Sequence, residues 1–153
     1  KYSGDNRYSS EEIMSHRSPA GGGLQAPALS ASTVNQIKSA LVGYKCEAVF
    51  IDEIQFFPDK EDIIGILDTG IDVIVSGLNG DWQRKMFPGM AELFGAAGNI
   101  IMLNAVCGFC KSDKACYTVR TSAESEAIVI GGAEKYKAAC PTCAIAVIKK
   151  ERL

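Results

Sequence analysis

Two C-x-x-C pairs, Cys107 with Cys110 and Cys140 with Cys143, constrain the fold of this chain more than anything else in it. Each pair presents two sulfurs from one tight turn, and the two turns together supply the four soft ligands of a tetrahedral zinc ion. Four thiolates fill the coordination sphere, so the metal is expected to be structural, with no position open for catalysis. The stretch between the pairs, residues 111–139, has room for a hairpin and a loop. The rival assignments are two disulfides or a redox pair. Reduced thiols serving a metal fit better, because the other two of the six cysteines, Cys46 and Cys116, stand alone, which suits small buried residues rather than a disulfide framework.

Upstream of the cysteines the pattern is that of a parallel α/β sheet. Residues 47–53, Glu-Ala-Val-Phe-Ile-Asp-Glu, form an apolar run that ends in two acids, as a buried parallel strand would. Residues 59–68 carry Ile63, Ile64, Ile66 and Leu67 at helical spacing, and Gly70 is placed to stop that helix. Residues 72–77 repeat the strand signature, 88–97 offer a second helix with Met90, Leu93 and Phe94 on one side, and 99–106 read as a third strand. Val34, Ile37 and Leu41 put a further helix before the first strand. Strand and helix in alternation imply right-handed crossovers. Residues 15–31, with Pro19, Gly21 to Gly23 and Pro27, have the composition of a mobile surface loop and are given no secondary structure. After Val106 the pattern changes to short strands at 117–120 and 128–130, with Gly131 and Gly132 before Tyr136. The expected division is therefore a core over 1–106 and a metal-stapled lobe over 107–153. A chain of 153 residues, 47% hydrophobic, has enough apolar content for that and little more.

Sixteen basic residues stand against 18 acidic ones with no block of like charge, so neither nucleic acid nor a membrane surface has an electrostatic footprint here. No apolar run approaches the roughly 20 residues of a membrane span, and a soluble, cytoplasmic protein is expected. The opening, KYSGDNRYSS, has no initiating Met and no signal-peptide core. It reads as the continuation of a longer chain.

Asp52 and Glu53, at the carboxyl end of a parallel strand, stand where α/β proteins bind ligands. In phosphate-loop enzymes an acid in that place holds the magnesium of a nucleotide. Gln55, Phe56 and Phe57 follow directly, and aromatic rings at the mouth of a sheet either grip a flat ligand or pack beneath the next helix. His16, without a partner at ligand spacing, reads as a solvated loop residue. Arg84 and Lys85 are a phosphate contact or a solvated pair.

Taken together, Asp52-Glu53-Ile54-Gln55-Phe56-Phe57, then Leu78-Asn79-Gly80-Asp81-Trp82-Gln83-Arg84-Lys85, then Ala105-Val106-Cys107-Gly108-Phe109-Cys110 closely resemble the zinc-containing type II thymidine kinases. Ala115-Cys116-Tyr117-Thr118-Val119-Arg120, Ile130-Gly131-Gly132-Ala133-Glu134-Lys135-Tyr136 and Asp5-Asn6-Arg7-Tyr8-Ser9 stand in the order that family has them. The resemblance implies a phosphate-loop kinase core with a zinc-binding lid lobe, and transfer of the γ-phosphoryl group of ATP to the 5′-hydroxyl of deoxythymidine with magnesium. It implies that Glu53 is the general base and that Asp52 binds magnesium through water. Asp5, Asn6 and Arg7 would lie near the sugar and phosphates, with Asp52, Glu53, Ile54 and Gln55 completing the nucleotide side. Phe56, Leu78, Trp82, Phe87, Thr118 and Tyr136 would wall the thymine pocket, and the main chain of Ala127, Ile128, Val129, Ile130 and Gly131 would hydrogen-bond the base. Members of the family are commonly homotetramers.

Three departures stand out. The chain contains no G-x-x-x-x-G-K-[ST], so the cradle for the ATP phosphates is expected upstream of Lys1. Trp82 and Asn79 stand where the family usually has Phe and Asp, and Trp82 keeps a flat apolar wall but changes the size of the pocket. Pro88 follows Phe87 where many members have Gly. The rival functions are a phosphate-loop ATPase with an added zinc module, which has no use for the glycine and tyrosine pattern of the lobe, and a zinc ribbon on nucleic acid. For the latter, Lys111, Lys114, Arg120, Lys135 and Lys137 are diluted by Glu124, Glu126 and Glu134.

Overall fold

A computed structural model describes residues 1–4, 12–14, 25–43, 45–121 and 135–151. The chain divides into two compact units, one made of residues 1–78 and 88–96, the other of 79–87 and 97–153. Each is a mixture of short helices and strands.

In the first unit, β1 (Glu12–Met14) pairs antiparallel with β2 (Gln25–Pro27), and β3 (Ala48–Ile51) pairs parallel with β4 (Asp72–Val75). Helix α1 (Val34–Leu41) precedes β3. Its first three amides are satisfied: Thr33 Oγ1 accepts the Gln36 N–H at 3.2 Å, and the Asp59 carboxylate accepts the N–H groups of Val34 and Asn35 at 2.8 and 3.1 Å. Those are donors a helix leaves without an internal partner. Partial burial pushes the Asp59 carboxyl up, but the amides of Val34, Asn35 and Asp59 itself, with the Asn35 side chain, together outweigh it and hold it below the usual carboxylate range. The expected helix over 59–68 is broken into a 3-10 segment (Lys60–Ile63) and α2 (Ile64–Leu67). Asp59 stands at the start of that segment but makes no cap bond there, since its carboxylate is engaged by α1. Helix α3 (Met90–Ala96) completes the unit. Val34, Ile37, Ile51, Ile54, Phe57, Ile63, Ile66, Met90 and Leu93 are among its buried apolar residues, with α1 and α3 both against the 3-10 segment.

Three expectations fail in this region and the next. The parallel pair is not buried on both faces: Phe50 and Ile74, directly opposed in register, are both exposed. Among the described residues this sheet has two strands and no further strand beside them. Residues 99–106 form no strand, because only Ala105 finds a bridge partner, Ala115, and Ile100 to Leu103 lie exposed without a ladder. The glycine-rich stretch is not wholly loop either, since Gln25 to Pro27 pair with β1 and Ala31 is buried while bridging Tyr2.

In the second unit, β5 (Tyr117–Arg120) pairs antiparallel with β6 (Tyr136–Ala139), and α4 (Pro141–Glu151) follows at once. The last helix has no counterpart in the sequence reading, and the strand expected at 128–130 falls outside the described residues. Val119, Ala139 and Ala144 form one small apolar cluster and Cys107, Ala115 and Cys140 another, with Cys143 packed against both. Among the described residues no helix is long and apolar enough to cross a membrane.

Candidate functional site

Strand β3 ends at the buried Ile51, and the chain then turns through Asp52 and Glu53. The parallel ladder continues one step past β4: Ser76 N–H donates to Ile51 O at 2.9 Å and Ile54 N–H to Ser76 O at 3.0 Å. That step brings the Ser76 hydroxyl onto Asp52 Oδ1 at 2.6 Å. Glu53 takes a left-handed backbone, φ 57° and ψ 42°, a conformation that costs a non-glycine residue about 1–2 kcal/mol. It lets the 3-10 turn Ile54–Phe56 start immediately and buries the Gln55 side chain to 4% exposure. The two ends of that carboxamide are then both engaged: Nε2 donates to Glu53 Oε2 at 2.6 Å, and Oε1 accepts the Leu78 N–H at 3.0 Å. Gly77 is required beside it, because a Cβ there would collide with Gln55 Oε1 and the Ile54 side chain. Two carboxylates are thus held at the carboxyl end of a parallel strand, one by a serine and one by a buried amide. Phe57 is fully buried, whereas Phe56 is half-buried with its ring 5.6 Å from that of Tyr2.

In the second unit, Cys107, Cys110, Cys140 and Cys143 have their sulfurs within 4.8 Å of one another and form no disulfide. Four sulfurs at about 2.3 Å from a central ion lie about 3.8 Å apart in a tetrahedron. Cys110 and Cys140 are at 3.7 Å. The knuckle is shaped by its backbone: Cys107 N–H donates to Ser112 O at 2.7 Å, Lys111 N–H returns to Cys107 O at 3.0 Å, and Gly108 N–H crosses to Ala138 O at 2.8 Å. The amides of Cys110 and Cys140 donate to Cys107 Sγ and hold its pKa down at about 6. A hydrogen bond from the Ser112 hydroxyl lowers Cys110. Cys143 goes the other way, pushed up to about 12 by its bond to the Cys140 sulfur and by burial among the other thiols. Four thiols this close ionise together only around a cation, and the donor set fits one. The four cysteines are positioned to bind a metal ion.

Beside the knuckle, β5 and β6 carry an aromatic cluster built around a cation. Arg120, 4% exposed, stands opposite Tyr136 in the strand register and donates from Nη2 to the Tyr136 hydroxyl at 2.8 Å. Its guanidinium carbon lies 4.5 Å from the centre of the Trp82 ring and 5.3 Å from that of Tyr136. The loop carrying Trp82 is closed by Asp81, whose Oδ1 accepts the N–H groups of Gln83 and Lys85, both at 2.9 Å.

The expected site residues are therefore distributed. Asp52, Glu53, Ile54, Gln55, Phe56 and Leu78 belong to the first unit, and Trp82, Phe87, Thr118 and Tyr136 to the second. Within these, the structure joins Glu53 to Gln55 and Leu78, and Trp82 to Tyr136 through Arg120. Thr118 lies within β5 opposite Ala138, and Phe87 is buried with its N–H on Asn79 O at 3.3 Å. Asp5, Asn6, Arg7 and residues 127–131 lie outside the described residues, as does His16. Two side chains had no site role in the sequence: Ser76 lay within the expected strand 72–77, and Arg120 figured only in a family motif and among the basic residues of the lobe.

The model of the family described as thymidine kinase matches residues 1–144. A thymidine kinase of Mesomycoplasma hyopneumoniae (strain 7448) is 38% identical over 147 residues, covering 94% of this chain and 76% of its own. The cytosolic thymidine kinases of Gallus gallus and Homo sapiens are 38% and 36% identical over 144 residues, again across 94% of this chain. The chain spans 61% and 58% of the length of those two relatives.

Proposed function

The chain belongs to the thymidine kinase family, and from that premise we propose that it carries the substrate side and the base of a nucleoside kinase that moves the γ-phosphoryl group of ATP to the 5′-hydroxyl of deoxythymidine. The observation that carries this reading is the pair Asp52 and Glu53, held at the carboxyl end of a parallel strand in a chain matched along residues 1–144. The 5′-oxygen forms its bond to the γ-phosphorus as the bond to the β–γ bridging oxygen breaks. ADP leaves with the bridging electrons and the hydroxyl proton passes to Glu53 Oε. Gln55 keeps that carboxylate aimed, and its other end fixes the Leu78 main chain that the same reading places on the thymine wall.

Asp52 has one oxygen on Ser76 and none of the described residues on the other, an arrangement that suits a water-mediated hold on magnesium. Magnesium would supply neutralisation of the phosphate charge. Zinc, on the four thiolates, would hold the lobe that carries Thr118 and Tyr136. Asp5, Asn6, Arg7 and Ile54 fall on the nucleotide side, while Phe56, Trp82, Phe87 and the main chain of 127–131 fall on the base side. A phosphate loop upstream, a homotetramer, a cytoplasmic location and no direct binding of nucleic acid complete the proposal. Heat protection tests it: deoxythymidine should raise the melting temperature of the protein and uridine should not. Equal effects of the two nucleosides, or none from either, would refute it.

A further inference from the structure

We infer that Arg120 is the positioning residue of the base pocket, holding the Trp82 indole and the Tyr136 phenol as one fixed stack. The inference rests on the reading of those two rings as pocket walls and adds a residue that reading does not contain. Burying a guanidinium to 4% exposure gives up hydration, and a chain does so where the cation has fixed work among partners. Among the described residues it meets two side chains: the Trp82 indole at 4.5 Å, and Tyr136 at 5.3 Å from the ring centre and 2.8 Å from the hydroxyl. Arginine suits this place better than lysine, since its planar, weakly hydrated head stacks on rings while still donating in its plane.

The two rings come from separate segments. Tyr136 is on β6, directly across the ladder from Arg120, so strand pairing fixes its distance. Trp82 is on a loop closed on Asp81, which sets its backbone, and the guanidinium lies over its indole ring, where it contributes to holding the ring's orientation. Indole is the strongest of the aromatic partners for a cation, so tryptophan at this position strengthens the stack as well as widening the wall. A second contact of the same kind, Arg84 at 5.8 Å from the Tyr117 ring, ties the loop to β5 again.

Trp82 is the single tryptophan of the chain, which makes the stack directly visible in the intrinsic fluorescence of the full protein. Titration with deoxythymidine should change the Trp82 emission in the unaltered protein. In Arg120→Met the free protein should emit as a more solvated indole, and the dissociation constant for deoxythymidine should rise about tenfold. Zinc content should stay at one per chain, a readout that separates lost positioning from a lost lobe. If Arg120→Met does not fold, Arg120→Lys and Tyr136→Phe, alone and combined, give a double-mutant cycle on the same constant, and the two losses should be non-additive. Zinc-loaded variants that bind deoxythymidine like the original with unchanged emission, or strictly additive losses, would overturn the role of Arg120. Absence of any response in the unaltered protein would instead overturn the pocket reading, and the inference with it.

Discussion

The two carboxylates of the first unit and the four thiols of the second are held by opposite means. Asp52 and Glu53 are fixed by neutral side chains, Asp52 by the distant Ser76 and Glu53 by the nearby Gln55, itself held on the Leu78 N–H, at the end of a sheet that is two strands wide among the described residues. The cysteines are fixed by a tight turn at Cys107–Cys110 and by the first turn of α4 at Cys140–Cys143, local structure that places four sulfurs for one cation. A hydrogen-bonded site tolerates loss of one partner at the cost of that bond. A metal site loses its whole constraint at once, and the region around it loses order with it.

Removing the metal should therefore have the largest effect, and it should fall on one unit. Apparent binding energies of structural zinc are about 10–16 kcal/mol, more than a small lobe gains from its few buried alanines and valines. With Cys140→Ala or a strong chelator, amide hydrogen exchange should accelerate through residues 105–121 and 135–151 while β3 and β4 keep their protection. Loss of protection in both units together would erase the contrast.

Next in size is the chemistry of the first unit. In the full-length enzyme Glu53→Gln should lower kcat by about 10²- to 10⁴-fold with deoxythymidine still bound, because an amide cannot accept the hydroxyl proton. Since phosphoryl transfer relies heavily on positioning, the low end of that range is expected. Turnover near the original rate would withdraw the base assignment.

Gln55→Leu sharpens the comparison at intermediate size. It removes the donor to Glu53 and leaves the Leu78 N–H without its acceptor, which should cost about 1–3 kcal/mol of stability. Denaturant midpoints should show it, with kcat falling alongside and zinc content untouched. A variant as stable as the original would mean that the carboxamide network adds nothing to the fold.

The smallest effect belongs to Asp59. Asp59→Ala exposes the first amides of α1 and should cost about 0.5–2 kcal/mol. The depressed carboxyl also gives a direction with pH. Its contribution is complete above the unfolded value and is lost as the pH falls through the lower folded value, so Asp59→Ala should narrow its deficit in acid. An unchanged deficit down to acid unfolding would show that the charge of Asp59 plays no part.

The parts legible in sequence were those whose signal is local. The cysteine spacing, the acids ending β3, and the periodicity of α1 and α3 each lie within a few residues, and each produced the element expected. What escaped depended on distant partners. The helix expected over 59–68 begins as 3-10, and the carboxylate of Asp59 at its start is taken by Val34 and Asn35 of another helix. Residues 99–106 have the composition of a strand, yet a strand exists only where a ladder receives it, and Ala105 alone is received. The role of Arg120 escaped for the same reason: the sequence shows it as one basic residue of the lobe, while its contacts with Trp82 and Tyr136 lie on two other segments.

The connectivity of the units has a consequence for synthesis of the protein on the ribosome. The chain passes between units at 78/79, 87/88 and 96/97, so residues 79–87 are made in the midst of the first unit while belonging to the second. Trp82 thus leaves the ribosome well before Tyr136. At about 5–20 residues per second the delay is about 3–10 s, during which the indole has no stack to join. A nascent chain halted at Thr121 should show a solvated tryptophan, and release of the complete chain should shift its emission. A shift already complete at Thr121 would mean that the indole finds its place before β6 exists.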